Sequence, residues 1–178
     1  MQSYGSTMQK ITRSDQIESA RIRELFAYWQ DKRRGDLLPR RADIDPVEIP
    51  RLMPYVLIAD IEHAPFRVRF RLVGTKVVEA TGFEFTGKYL DEITLPDDEG
   101  PVLESYQLAS ESKCAVLTRM KWHLDANTIG EYDACFLPLS ENGRTVDKAL
   151  GMECYENVER NFTLGRRQPS QRTKKPSD

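Results

Sequence analysis

The sequence contains no apolar run close to the roughly 20 residues that a helix needs to cross a bilayer. The N-terminus also lacks the basic segment followed by an apolar segment that marks an export signal. Histidine is scarce, with two residues, and cysteine with three. We therefore expect a cytoplasmic protein that does not contact a membrane and has few side chains suited to metal binding or nucleophilic chemistry.

The three cysteines, Cys114, Cys135 and Cys154, are odd in number, far apart and set in strand-like segments. This pattern favours reduced core thiols over a disulfide framework or a zinc site. His63 falls in a predicted turn and His123 at the end of a predicted strand, so neither lies near a cysteine in sequence. Because no motif proposes a nucleophile, a base or a metal cluster, we predict no catalytic residues, no metal and no enzyme activity.

A chain of 178 residues is long enough for one domain with a substantial core. Residues 1–14 are polar without periodicity, and we predict that they are disordered. A single domain is expected over 15–159, followed by a disordered basic tail over 160–178. The tail carries six basic residues and one acid, so the rest of the chain is more acidic than the net charge of −2 suggests. An acidic globule with a basic tail is not typical of a dedicated nucleic-acid binder.

An amphipathic helix is predicted over 15–34, with Gly35 as its stop. Its apolar residues recur at the spacing of one helix face. We expect this stripe to exceed what one sheet face buries and to form a homodimer interface. The stripe consists of Ile22, Leu25, Phe26 and Trp29.

Two strands are predicted next. Tyr55 to Ile61 is apolar on both sides and should be covered on both. The following strand, Phe66 to Thr75, alternates apolar residues with three arginines and ends at Gly74-Thr75. Thr75 is expected to cap a short helix that ends at Gly82.

The stripe of Arg67, Arg69 and Arg71 has two interpretations. It could bind an anion, a nucleotide or nucleic acid. Alternatively, it is a solvated or helix-covered face neutralised by acids of this chain, such as Glu18, Glu24 or Asp31.

The remaining elements are a longer helix and three strands. The helix is predicted from Pro96 or Asp97 to Ser112, and the strands over 114–124, 130–139 and 145–155. With a loop over 125–129, Lys121 lies opposite Asp133 as a favourable cross-strand pair. Glu141-Asn142-Gly143-Arg144 predicts a type I′ hairpin turn before the last strand.

Five short motifs lie between about residues 20 and 155. They are Tyr28-Trp29 ahead of Arg34-Gly35, Pro39-Arg40-Arg41-Ala42-Asp43-Ile44-Asp45-Pro46, Phe70-Arg71-Leu72-Val73-Gly74-Thr75, Thr86-Gly87 and Phe136-Leu137-Pro138-Leu139-Ser140. With the element order, they resemble the PAS superfamily and, within it, the small stand-alone PAS proteins of alphaproteobacteria. The resemblance implies an α+β fold: a five-stranded antiparallel sheet, short helices on one face and an N-terminal helix.

The resemblance also implies a pocket between the sheet and the short helices. Strand parity and helix face select the residues that would line it, although the same residues could pack as a closed core. Haem is not expected, because PAS domains that hold it typically use a histidine on the long helix, which has none here. Flavin photochemistry is not expected, because residues 74–95 lack the cysteine of that motif. The candidate ligand-binding residues are Phe70, Leu72, Tyr89, Tyr106, Met120, Trp122, Tyr132 and Phe136.

The resemblance implies a sensory or regulatory role in signal transduction, through a small molecule, protein association or both. The sequence contains no recognisable kinase, cyclase or DNA-binding segment, so we expect the signal to pass to a partner protein. Two other functions stay open. One is a DNA-associated regulator that uses the arginine stripe and the tail; the other is a small enzyme with an α+β pocket.

Overall fold

The structure is a computed structural model that describes residues 7–93, 99–123 and 129–155, without the side chains of 99, 121–123 and 129–130. Six antiparallel strands form one sheet in the order β1-β4-β5-β6-β2-β3. No described helix is long and apolar enough to span a membrane. The strands are β1 Thr7–Ile11, β2 Val56–His63, β3 Phe66–Val73, β4 Ala115–His123, β5 Ile129–Leu139 and β6 Lys148–Cys154, and the helices are α1 Ala20–Asp31, α2 Thr75–Thr81 and α3 Glu99–Ser112.

The predicted fold class is confirmed, and β1 adds a sixth strand to the predicted five. Residues 7–11 were expected to be disordered but pair with the outer edge of β4, from Thr7 opposite Arg119 to Ile11 opposite Ala115. Only Ile11 of this strand is buried. Backbone pairing with the open β4 edge, rather than a hydrophobic alternation, therefore makes the strand. Residues 1–6 and 156–178 lie outside the described residues, so their predicted disorder stays a prediction.

Helix α1 is shorter than the predicted 15–34. Ser14–Gln16 forms a separate 3-10 turn, and Ser19 begins α1 by accepting a hydrogen bond from the backbone N–H of Ile22. An N-cap serine needs extended backbone dihedral angles, which separates the turn from the helix.

The apolar stripe of α1 lies in the core of the single chain. Ile22, Leu25, Phe26 and Trp29 are all buried, and the helix packs on β5 and β6. Trp29 Nε1 donates a hydrogen bond to the carbonyl oxygen of Pro138 at 3.0 Å. The expectation that these four residues form an exposed interface is therefore wrong, because the sheet itself covers them. Homodimer formation stays a prediction, now without this surface.

Strand β2 is covered on both sides, as predicted, with Val56 to Ala59 all buried. Its pairing with β3 contains a bulge. Leu72 lies opposite Ile58, whereas Phe70 lies opposite Ala59, so Arg71 is the extra residue. Because opposite residues share a face, the bulge places Leu72 and Phe70 on different faces of the sheet.

The Gly74-Thr75 break is a close approach between two backbones. The N–H of Gly74 donates to the carbonyl oxygen of Val56 at 2.8 Å. A Cβ on Gly74 would lie 2.3 Å from the carbonyl oxygen of Pro54, so no larger residue fits. Gly74, rather than Thr75, is the N-cap of α2, and Gly82 ends the helix at φ 82° as predicted.

The predicted pairing of β4 with β5 is two residues out of register. Asp133 lies opposite Arg119, and Lys121 lies opposite Glu131. The turn before β6 is also wider than a two-residue hairpin. Asn142 Oδ1 accepts hydrogen bonds at 2.8 Å from the backbone N–H groups of Arg144 and Thr145. This Asx-type turn delays the start of β6 to Lys148.

The predicted start of the long helix, Pro96 or Asp97, lies outside the described residues, and the described helix α3 ends at Ser112 as predicted. Helix α3 packs on β4 and β5 from the side opposite α1. We call this side of the sheet the α3 face and the other the α1 face. The α3 face carries Leu57, Val116, Thr118, Ala134, Phe136, Gly151 and Glu153, as their cross-strand pairing requires.

Candidate ligand site on the α3 face

Tyr106 lies at the centre of an aromatic cluster between α3 and the sheet. Its ring centroid is 4.7 Å from that of Phe136 and 6.4 Å from that of Phe70, both in edge-to-face arrangements. Phe85 completes the cluster at 4.9 Å from Phe70. The structure thus brings together Phe70, Tyr106 and Phe136 of the predicted set. Phe85 was missed because it lies in an irregular segment where no periodicity assigns a side chain to a face.

The floor of this region is made of small residues. Gly151 lies opposite Phe136 on β5 and opposite Leu57 on β2. A Cβ placed on Gly151 would be 3.7 Å from the hydroxyl oxygen of Tyr106. Ala134 occupies the neighbouring row of the sheet. Small residues at the sheet centre bring the helix-borne tyrosine close to the strand backbone.

Two buried hydroxyl groups join α3 to β4 beside this floor. Ser105 Oγ lies 2.8 Å from Thr118 Oγ1, and it also donates to the carbonyl oxygen of Pro101 at 2.6 Å. Both side chains are completely buried. The sequence assigned Thr118 to the inward face by parity, and the structure places it there.

Glu153 is the acidic residue of the site and was not predicted. It lies in the same cross-strand row as Ala134 and Thr118. Its carboxylate accepts a hydrogen bond from the hydroxyl of Tyr155. Burial raises the pKa of Glu153, and the Tyr155 hydrogen bond lowers it by a smaller amount. The signal that could have found it is one acid among apolar residues of β6, in phase with Gly151.

Burial also acts on the tyrosines around Glu153. Desolvation raises the pKa of Tyr106, and the nearby charge of Glu153 raises it further. The pKa of Tyr155 is raised for the same two reasons. The ring of Tyr155 lies 5.1 Å from that of Tyr132, centroid to centroid. Tyr106 and Tyr155 are therefore neutral hydrogen-bonding groups across the physiological pH range.

The other predicted pocket residues divide into three groups. Met120 is buried opposite Tyr132, in the row next to Glu153, so both lie on the α3 face. Trp122 belongs to β4, but its side chain lies outside the described residues. Leu72 was placed wrongly, because the bulge at Arg71 turns it to the α1 face.

Tyr89 was also placed wrongly, because it belongs to the arginine surface. Its hydroxyl donates to Glu62 Oε1 at 2.8 Å. The guanidinium of Arg67 lies 3.6 Å from its ring centroid and pairs with Asp91 at 2.8 Å. A backbone bridge between Tyr89 and Arg69 orients the ring along the outer edge of β3.

The other two arginines of the stripe also contact groups of this chain. Arg69 Nε donates to the carbonyl oxygen of Gly87 at 3.1 Å, and Arg71 Nε lies 3.3 Å from Asp60 Oδ2. The acids that neutralise the stripe are therefore Asp60 and Asp91. The expected acids Glu18, Glu24 and Asp31 were wrong, because α1 lies across the centre of the sheet rather than over β3.

Arg119 links the segment before α1 to the sheet. It pairs with Glu18 at 2.9 Å and with the buried carboxylate of Asp133 at 2.9 Å. Next to this pair, the hydroxyl of Ser19 donates to Cys154 Sγ at 3.3 Å. Polar contacts at the N-terminal end of α1 thus hold this helix against the sheet.

The cysteines are thiols, and Cys135 and Cys154 are buried as predicted, whereas Cys114 is half-buried. Burial raises the pKa of Cys135 to about 12, so its thiol stays protonated. Within the part of the chain that the structure describes, no group of three or more His, Cys, Asp or Glu side chains is arranged to hold a metal ion.

Comparison with known proteins agrees with this architecture. The PAS domain family matches residues 17–153, which is most of the chain. The chain therefore belongs to the PAS domain family, and its α+β fold is a PAS fold. PAS domains are generally sensory or signalling modules. Comparison with curated proteins found no match.

Solved structures with related folds include three light-oxygen-voltage proteins. An RNA-binding light-oxygen-voltage receptor is similar at 14% identity with a TM-score of 0.49, covering 89% of this chain and 41% of the receptor. A light-oxygen-voltage domain studied with a flavin analogue is similar at 15% identity with a TM-score of 0.46, and the match covers 65% of this chain and 88% of that domain. A fungal light-oxygen-voltage photoreceptor is similar at 15% identity with a TM-score of 0.42, and the match covers 65% of this chain and 94% of the photoreceptor chain. This chain thus spans less than half of the RNA-binding receptor.

Proposed function

We propose that this PAS domain is a non-enzymatic sensory or regulatory module that binds a small molecule between α3 and the sheet. The observation that carries the proposal is the set of polar groups on the α3 face. A closed core favours apolar side chains, yet here Glu153, Tyr106 and Tyr155 converge with a buried Ser105-Thr118 pair. Such convergence beside aromatic rings is typical of a ligand site.

Native mass spectrometry of the freshly purified protein tests the proposal. We expect an added mass that dissociates on denaturation and corresponds to one small molecule. Gly151→Val should abolish this mass, because its larger side chain extends towards the Tyr106 hydroxyl. Val47→Ala is the control, since the Val47 side chain is 81% exposed. A wild-type protein with no added mass and no thermal stabilisation by any member of a broad metabolite panel would contradict the proposal.

The signal output is proposed to pass through protein association, with a homodimer and a separate signalling partner as the two assemblies expected. We further propose that the chain belongs among the small stand-alone PAS proteins that it resembles. The same mass spectra report the subunit count. A monomer at every concentration measured would contradict the homodimer without affecting the ligand proposal.

The alternative of a DNA-associated regulator has less support. The three stripe arginines are engaged by Asp60, Asp91 and the carbonyl oxygen of Gly87. Contact with phosphates would have to break these interactions. PAS domains are usually non-catalytic, and we assign no catalytic residue in this one.

A further inference from the structure

Glu153 differs from the acids of the domain that form ion pairs. Asp43, Asp60, Asp91 and Asp133 each form an ion pair with an arginine or lysine. Among the described residues, no arginine, lysine or histidine forms an ion pair with Glu153, whose hydrogen-bond partner is the neutral hydroxyl of Tyr155. Glu153 is half-buried on the α3 face, and partial loss of hydration without a cation partner makes its carboxylate costly to form.

The surroundings of Glu153 are suited to a positive charge. The rings of Tyr106 and Phe136 lie on one side of its row, and those of Tyr132 and Tyr155 on the other. Aromatic faces attract cations through their quadrupole, and the attraction is strongest where water is excluded. A carboxylate beside aromatic rings offers an organic cation both an opposite charge and an apolar surface to pack against.

The sheet floor leaves the approach to Glu153 free of large side chains. Its neighbour across the strand is Ala134, and Gly151 lies two residues earlier on the same face of β6. The titratable groups that interact with it are Tyr106 from α3 and Tyr155 at the end of β6, and the ring of Tyr132 from β5 packs on Tyr155. The raised pKa values of Tyr106 and Tyr155 keep both phenols neutral, so neither brings a charge of its own to the site.

We propose that the ligand of this site is a small organic cation, an amine with an aromatic or apolar body. Its ammonium group donates hydrogen bonds to Glu153, and its body packs against Tyr106 and Phe136. This inference rests on the proposed function and specifies the chemical class of the ligand. An anion gains no charge partner from Glu153 and is repelled by it once it is ionised, and a neutral ligand would use Glu153 only as a hydrogen-bonding group.

The protonation of Glu153 gives the inference its own signature. In the empty site, burial favours the neutral carboxyl group. When an ammonium ion binds, the carboxyl group releases its proton to solvent and the carboxylate pairs with the ligand. Affinity for an amine should therefore rise with pH above the ordinary glutamate range, until the site is ionised without ligand. Affinity for a neutral analogue should not rise.

Isothermal titration calorimetry with 2-phenylethylamine tests the inference, with 2-phenylethanol as the neutral analogue and 3-phenylpropionate as the anion. We expect the wild type to bind the amine at least tenfold more tightly than either analogue. Glu153→Gln should weaken amine binding at least tenfold. Glu131→Gln is the matched control, because Glu131 is an exposed glutamate on β5 and should leave binding unchanged.

Three results would overturn the inference: no amine binding by the wild type, equal affinity for amine and alcohol, or full amine affinity in Glu153→Gln. A small molecule retained in native mass spectra would keep the proposed function standing in each case, so the two failures are distinguishable. If Glu153→Gln fails to fold, the inference is tested by measuring the affinities of the wild type for the amine and the alcohol at several pH values. Amine affinity that does not rise with pH relative to alcohol affinity overturns the inference.

Discussion

Thr118 donates its hydroxyl hydrogen to Ser105 Oγ, across the interface between β4 and α3. The oxygens are 2.8 Å apart, and Ser105 is also 2.6 Å from the carbonyl oxygen of Pro101. A serine has one hydroxyl hydrogen, and the carbonyl oxygen can only accept it. Thr118 is therefore the donor in the pair, and this asymmetry has consequences for mutagenesis.

Ser105→Ala should destabilise the domain more than Thr118→Val. The first variant leaves the buried Thr118 hydroxyl without its acceptor, which costs about 1–3 kcal/mol. The second leaves Ser105 bonded to Pro101 and should cost about 1 kcal/mol or less. Urea unfolding of both variants and of the double variant measures the difference. Equal losses in the two single variants would show that the donor assignment is wrong.

Trp29 should be the residue of α1 on which stability depends most. It is 2% exposed, and its indole N–H donates to the carbonyl oxygen of Pro138. Trp29→Ala should lower the free energy of unfolding by about 3–5 kcal/mol, the usual range for a large buried aromatic residue. Trp29→Phe keeps most of the packing and should lose less. A loss below about 1 kcal/mol for the alanine variant would indicate that α1 is loosely attached.

The two acids bound to Arg119 should contribute unequally. Asp133 is 5% exposed, whereas the Glu18 side chain is 81% exposed. Asp133→Ala should cost about 1.5–3 kcal/mol, the range for a hydrogen bond to a charged group. Glu18→Ala should cost less than about 1 kcal/mol, as for an exposed ion pair. A double-mutant cycle with Arg119→Ala assigns the coupling energy to each pair, and a larger coupling for Glu18 would contradict the prediction.

Glu153 should make stability depend on pH in the direction opposite to that of a paired acid. Because its pKa is raised in the folded protein, its contribution is fully present below the unfolded value, about 4.3, and is lost as pH rises through the folded value. Glu153→Gln has no such titration. Relative to this variant, the wild type should lose stability between about pH 4 and its folded pKa, by at most about 1.4 kcal/mol per pH unit.

Urea unfolding of both proteins at several pH values measures this difference. Titrations of other groups cancel in the comparison because they are common to both proteins. A stability difference that stays constant with pH would mean that Glu153 titrates normally in the folded state.

The folded domain should not bind duplex DNA. Each phosphate contact would add about one unit to the slope of log affinity against log salt concentration. Since the stripe arginines are already paired, we expect no salt-sensitive binding after deletion of residues 160–178, and only weak binding with the tail present. Fluorescence anisotropy across a salt series measures this. Tight, salt-sensitive binding by the shortened chain, lost in Arg67→Ala, would favour the DNA-associated regulator.

Much of the fold could be predicted because its hydrophobic patterns are local. The continuous apolar run of β2 indicated cover on both faces, and the buried residues on either side of it confirm this. The Gly74-Thr75 break was predicted, and the close approach to Pro54 explains why glycine is needed there. In the candidate site, Phe70, Tyr106 and Phe136 were placed by parity and helix face alone.

Errors arose wherever strand pairing, rather than pattern, decides position. The bulge at Arg71 places Leu72 on the other face of the sheet. A two-residue shift in register makes Arg119, rather than Lys121, the cross-strand partner of Asp133. Neither is visible in the hydrophobic periodicity of the sequence, because a bulge is defined by its pairing with the partner strand and a two-residue shift keeps every side chain on the same face.

The sequence by itself determined the element order, the PAS fold and the face on which most core side chains lie, because periodic burial is a property of each segment alone. Only the tertiary structure decided that residues 7–11 complete the sheet, that α1 is buried by its own chain and that Glu153 lies in one row with Ala134 and Thr118. These outcomes depend on which strand edges pair and which residues become cross-strand neighbours, although the strands are far apart in sequence. Backbone pairing and packing of the whole domain determine those neighbours.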